Sequence, residues 1–101
     1  MKVTLTEMGG WANIRRSCTI DTASLPRTVA IKLEDGCRLA LAAPAVVFDP
    51  NVRDARTLTL VVDTEGARRC ASFQEPGAPA ALRPVLEVMR PLCRQVSAEG
   101  E

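Results

Sequence analysis

Lys2-Val3-Thr4-Leu5-Thr6-Glu7-Met8-Gly9-Gly10-Trp11-Ala12-Asn13-Ile14-Arg15-Arg16 is a strand that runs into a glycine pair and turns back. Val3 and Leu5 alternate with polar residues, the glycines permit positive φ, and a second alternating run begins at Ala12. The pattern predicts a hairpin with strands near residues 2–8 and 11–20, and it sets the sole tryptophan, Trp11, at the tip. A bulky aromatic beside a glycine turn either plugs the end of a core or is offered to a partner, and both readings stand. On the second strand Ile14, Cys18 and Ile20 share one face, while Asn13, Arg15, Ser17 and Thr19 share the other. Arg16 interrupts the apolar face, as expected at a sheet margin.

Further along, Thr57–Asp63 is the clearest strand, with Leu58, Leu60 and Val62 alternating inward. Thr64-Glu65-Gly66 makes a turn, and Ala67–Gln74 returns. Pro76-Gly77-Ala78-Pro79 then breaks the structure before a helix whose Leu82, Val85, Leu86, Met89, Leu92, Cys93 and Val96 form one apolar face. Pro84 fits the first turn of that helix, and Pro91 is expected to kink or end it. Residues 26–43 read two ways. Leu25, Val29, Leu33, Cys37 and Leu41 fall at helical spacing, yet Val29, Ile31 and Leu33 also alternate, and Asp35-Gly36 is a hairpin signal. From Ala43 to Arg56, Pro44 and Asp49-Pro50-Asn51 indicate an exposed loop carrying the apolar cluster Val46-Val47-Phe48. The domain is expected over residues 1–96, with 97–101 a frayed tail.

A chain of 101 residues suffices for one domain with a single core. Aromatics are only 3% against 47% hydrophobic residues, so the core must be aliphatic. A net charge of +1 supplies no field to draw in nucleic acid or an anionic membrane. No apolar run reaches the roughly 20 residues of a spanning helix. The opening residues lead straight into a strand without a signal-like apolar region, which points to a cytoplasmic protein. Cys18, Cys37, Cys70 and Cys93 are far apart and the chain has no histidine, which speaks against zinc. In a reducing compartment these cysteines are expected to be free, small, buried apolar residues.

The chemistry of catalysis is sparse. Histidine and tyrosine are both absent, which removes the commonest general acid–base group and every histidine-dependent nucleophile. Gly9-Gly10 is not followed by a phosphate-loop lysine. The carboxylates at Glu34-Asp35, Asp49, Asp54 and Asp63-Thr64-Glu65 sit at turns, where capping suffices. The chain reads as a non-enzymatic binding module without a cofactor.

The opening K-V-T-L-T-E-M-G-G-W-A-N-I-R-R, then D-T-A-S-L-P with Ala30 and Leu33, the strand T-L-T-L-V-V-D, S-F-Q-E, and A-P-A-A-L-R-P-V-L-E-V-M-R-P-L together resemble the emfourin family. These are small bacterial inhibitors of thermolysin-like zinc metallopeptidases such as protealysin, and the pieces span most of residues 1–93. The glycine pair, aromatic and arginine pair are the most specific part. The chain departs in lacking the family's aromatic-rich strand at Arg56-Thr57-Leu58, and in placing Gly36 within an expected continuous helix. The resemblance implies a single small α+β domain, an antiparallel sheet of about four strands packed against two helices. It also favours a helix over roughly residues 25–36.

The partner so implied is a thermolysin-like metallopeptidase, met by Met8, Gly9, Gly10, Trp11, Asn13 and Arg15 or by the loop Pro44–Arg56. With no histidine to offer and its cysteines on core faces, the chain would block the cleft sterically and not ligate the zinc through those residues. Arg15-Arg16 is alternatively a solvated strand edge. The competing class is an interaction or assembly module, dimeric through an exposed edge strand. A thiol-based redox role is a third reading, tested by counting reactive thiols.

Overall fold

A computed structural model of the chain describes residues 1–9, 14–43, 51, 55, 56–75 and 77–100, with side chains described as far as Cys93 except that of Ile14. Strands β1 (Lys2–Gly9), β2 (Ile14–Asp21), β3 (Arg56–Thr64) and β4 (Ala67–Glu75) form one antiparallel sheet in the order β2-β1-β3-β4. Helix α1 (Arg27–Ala42) separates β2 from β3, and α2 (Arg83–Gly100) follows β4. The small α+β domain expected from the resemblance is what the chain forms.

Register explains which residues face the helices. Cys18, Leu5, Leu60 and Ala71 lie in one row across the sheet, and Ile20, Val3, Val62 and Arg69 in the next. Val3, Leu5, Leu58, Leu60, Val62 and Phe73 are buried from the sheet side. Leu33, Cys37 and Ala40 of α1 meet them, as do Val85, Leu86, Val88 and Met89 of α2. Each large aliphatic so buried contributes about 1.5–3 kcal/mol relative to exposure. The opposite sheet face is paired by hydroxyls, Thr4 with Thr19 at 2.8 Å, Thr6 with Ser17 at 3.0 Å and Thr59 with Ser72 at 3.3 Å. A sheet with one dry face and one wet face needs this strict alternation.

Residues 26–43 resolve as helix. A strand would have put Val29, Ile31 and Leu33 on one side. In α1 Leu33 is fully buried while Ile31 is 47% exposed, the separation a 3.6-residue period imposes. Asp35-Gly36 is therefore not a hairpin turn. Gly36 is buried in the helix interior, where an added Cβ would stand 3.0 Å from Val85 Cγ2 and 3.4 Å from Pro84 Cβ. Its missing side chain is the notch that lets α2 approach α1. The entry to α1 is held by the Thr22–Ser24 turn: Ala23 N donates to Asp21 Oδ1 at 3.0 Å, and the Thr22 hydroxyl donates to Glu34 Oε2 at 2.7 Å.

The cysteine expectation is corrected. Cys18 and Cys93 form a disulfide with their Cα atoms 5.6 Å apart, Cys37 is a buried thiol and Cys70 an exposed one. Cys18 lies on the helix-covered face opposite Leu5, and Cys93 falls one turn after Met89 on the inward side of α2. A separation of 75 residues hides that meeting from any local pattern. Closing a loop of such length restricts the unfolded chain by about 4 kcal/mol on the chain-entropy estimate.

Pro91 is contained within α2, which continues to Gly100, so it does not end the helix. The helical backbone runs on over residues 97–100. The apolar cluster Val46-Val47-Phe48 lies outside the described residues.

Candidate functional site

The hairpin end is built by β1 and β2 as they converge. Gly9 pairs with Ile14 on one side and Arg56 on the other, and Arg56 pairs with Glu75, so one row closes this end of the sheet. Gly9 has φ +96°, and a Cβ there would stand 2.8 Å from the Ala55 carbonyl oxygen. Glycine is thus required both by the backbone conformation and by the approach of the chain entering β3.

Met8 is 45% exposed and lies directly opposite Arg15 on β2, on the sheet face the helices leave open. Arg15 and Arg16 are both exposed on β2, an edge strand, as the solvated-edge reading requires. Of the six candidate residues, the structure brings together Met8, Gly9 and Arg15. Gly10, Trp11 and Asn13 lie outside the described residues.

An ionic cluster braces this end from beneath. Arg90 of α2 donates through Nε and Nη2 to Glu7 Oε1 at 3.0 and 2.7 Å, and through Nη2 to Glu75 Oε1 at 2.7 Å. Burial works against the guanidinium charge, but the hydrogen bonds to Glu75 and Glu7 outweigh it and hold its pKa above the ordinary arginine value. One side chain therefore ties α2 to β1 and to the end of β4. The signal for it was parity: Glu7 continues the inward row of Val3 and Leu5, and a carboxylate there needs a cation. Nothing in sequence pointed to Arg90, 83 residues away.

Beyond Glu75 a groove of about 540 Å³ opens along α2, lined by Ala78, Pro79, Leu82 and Leu86 together with Arg83 and Arg90. It shares the hairpin's end of the sheet, but Met8, Gly9 and Arg15 do not line it. Among the described residues no group of His, Cys, Asp and Glu gathers to hold a metal ion. Buried side-chain polar atoms among the described residues all have partners. The hairpin end thus offers a thioether, glycine backbone and a guanidinium, which are groups for contact.

A small open-faced sheet with one helix layer and a braced hairpin end defines a compact α+β domain. The chain belongs to the Emfourin family, whose pattern it matches over residues 5–90. That is a family of protease inhibitors. Neither among curated proteins nor among solved structures does anything match the chain.

Proposed function

We propose that this chain inhibits a thermolysin-like zinc metallopeptidase by presenting its hairpin end, residues 8–15, to the active-site cleft. The observation that carries the reading is the Emfourin match over residues 5–90, which takes in most of β1, all of β2, α1, β3 and β4, and the first turns of α2. Gly9 and the Arg90 cluster support it physically. A backbone turned at a positive-φ glycine and braced from α2 loses little entropy on binding, and that loss is a main cost of association.

Inhibition proceeds by obstruction. Cys18 and Cys93 are bonded to each other, Cys37 is buried, and burial, with Glu34 second, pushes its thiol up to about 12. Cys70 is exposed but pairs with Val61 in the row of Thr4, five residues from Gly9 along β1, or about 17 Å at strand rise. No thiol among the described residues therefore stands where the hairpin would enter.

Titrating purified protein against thermolysin and a protealysin-type peptidase, with a peptide substrate, is the direct test. Stoichiometric loss of activity is expected; full activity at micromolar inhibitor with both enzymes refutes the proposal. The exposed edges of β2 and β4 give the assembly reading a surface. Size-exclusion chromatography of the chain alone and mixed with peptidase separates the two.

A further inference from the structure

Helix α2 grips both arms of the hairpin from one side. Arg90 reaches β1 through Glu7, and Cys93, three residues later and so on the same helix face, reaches β2 through Cys18. β2 is an edge strand with ladder bonds to β1 alone. Its side-chain pairs to β1, Thr4 with Thr19 and Thr6 with Ser17, are exposed and hold it weakly. The disulfide is accordingly the strongest single tie on this arm. It enters three residues from Arg15 and four from Ile14, where the hairpin end begins. Cys18 and Cys93 are both half-buried, within reach of a small thiol.

We propose that the Cys18–Cys93 disulfide is a redox clamp on the hairpin, such that the oxidised chain captures its peptidase and reduction by a dithiol releases β2 and weakens capture. This rests on the inhibitor reading above. In the step, a thiolate of the dithiol attacks one sulfur of the bond and the other cysteine leaves as thiolate and takes up a proton. The second thiol of the reductant then resolves the mixed disulfide. The protein gains two electrons and two protons, and the reductant closes its own disulfide. Arg90 is untouched by this exchange and keeps β1 in place, so the local change is greatest in β2.

The test uses the full chain carrying Cys70→Ser, to exclude exchange through the exposed thiol. It is compared oxidised, reduced with dithiothreitol, and as the Cys18→Ser/Cys93→Ser variant. Amide hydrogen exchange is measured on all three, and inhibition of thermolysin and of a protealysin-type peptidase on the oxidised chain and the double variant, since a dithiol would itself bind the enzymes' zinc. Because loss of the bond also lowers global stability, exchange is expected to rise in every strand, but at least tenfold more over residues 14–21 than in β3 and β4, with at least tenfold weaker inhibition by the double variant. Unchanged β2 exchange overturns the clamp. Exchange raised equally in all strands also overturns it, because the bond would then staple the whole fold. Raised β2 exchange with equal inhibition in both forms refutes the gating. Raised β2 exchange with no inhibition by either form refutes the inhibitor reading and the gating with it, which distinguishes that failure from failure of the clamp.

Discussion

Replacing Arg90 with methionine removes the charge while keeping the alkyl stem that packs between sheet and α2. The guanidinium makes three hydrogen bonds of 2.7–3.0 Å to two carboxylates, and its side chain is 32% exposed. Glu7 is only 17% exposed, so it is the partner that suffers most when the cation goes. Losing one member of a fully buried pair costs about 3–5 kcal/mol, whereas an exposed pair is worth about 0–1 kcal/mol. The intermediate exposure places Arg90→Met at about 2 kcal/mol, a fall in Tm of roughly 8–16 °C for a domain of this size. Urea denaturation of wild type, Arg90→Met, Glu7→Gln and the double variant isolates the coupling. Glu7→Gln should cost at least about 1 kcal/mol less in the methionine background than in wild type, since its partner has already gone. Equal costs in the two backgrounds, or a loss below about 0.5 kcal/mol for Arg90→Met, would refute the brace. Peptidase inhibition by a still-folded Arg90→Met protein should weaken as well, because the hairpin end loses its support.

Gly36→Val should destabilise by about 3 kcal/mol in urea, as its branched side chain has no space at 3.0 Å from Val85 Cγ2; Gly36→Ala, which gains about 1 kcal/mol of helix propensity against a smaller clash, should be near neutral. Gly9→Ala meets both a φ of +96° and a carbonyl oxygen 2.8 Å from the new Cβ, so inhibition should fall even where circular dichroism shows an intact fold. Burial, with Glu34 second, raises the Cys37 pKa from 9.0 to about 12 in the folded chain. The unfolded chain then releases this proton first, so the contribution is complete below pH 9.0 and declines as pH rises toward about 12. Cys37→Ala should therefore lose less stability than wild type between pH 8 and pH 10.5, measured by urea denaturation at each pH.

The strands were legible because their evidence is local. Leu58, Leu60 and Val62 alternate in sequence and are buried together, and the apolar period of Leu82, Val85, Leu86 and Met89 is the inner face of α2. Residues 26–43 were open to two readings because Val29, Ile31 and Leu33 alternate as a strand would, while Leu25, Val29, Leu33, Cys37 and Leu41 keep helical spacing. The family resemblance favoured a helix over roughly residues 25–36, and the burial of Leu33 beside the exposure of Ile31 settles it. Of the site, Gly9 announced itself through the backbone conformation its turn demands, whereas Glu7's inward parity drew no reading from the sequence. The Cys18–Cys93 bond and the Arg90 cluster join residues 75 and 83 positions apart, and such pairings follow from the path of the chain. No spacing rule reaches that far.

The hydroxyl-paired face of the sheet has a practical consequence. Among the described residues one free thiol is exposed, Cys70, and its row stands well back from the hairpin end. The chain thus carries its own attachment point. A fluorophore coupled there would tumble with the whole domain and report a bound peptidase by anisotropy, while leaving the contact end bare. A surface tether through the same sulfur would immobilise every molecule in one orientation.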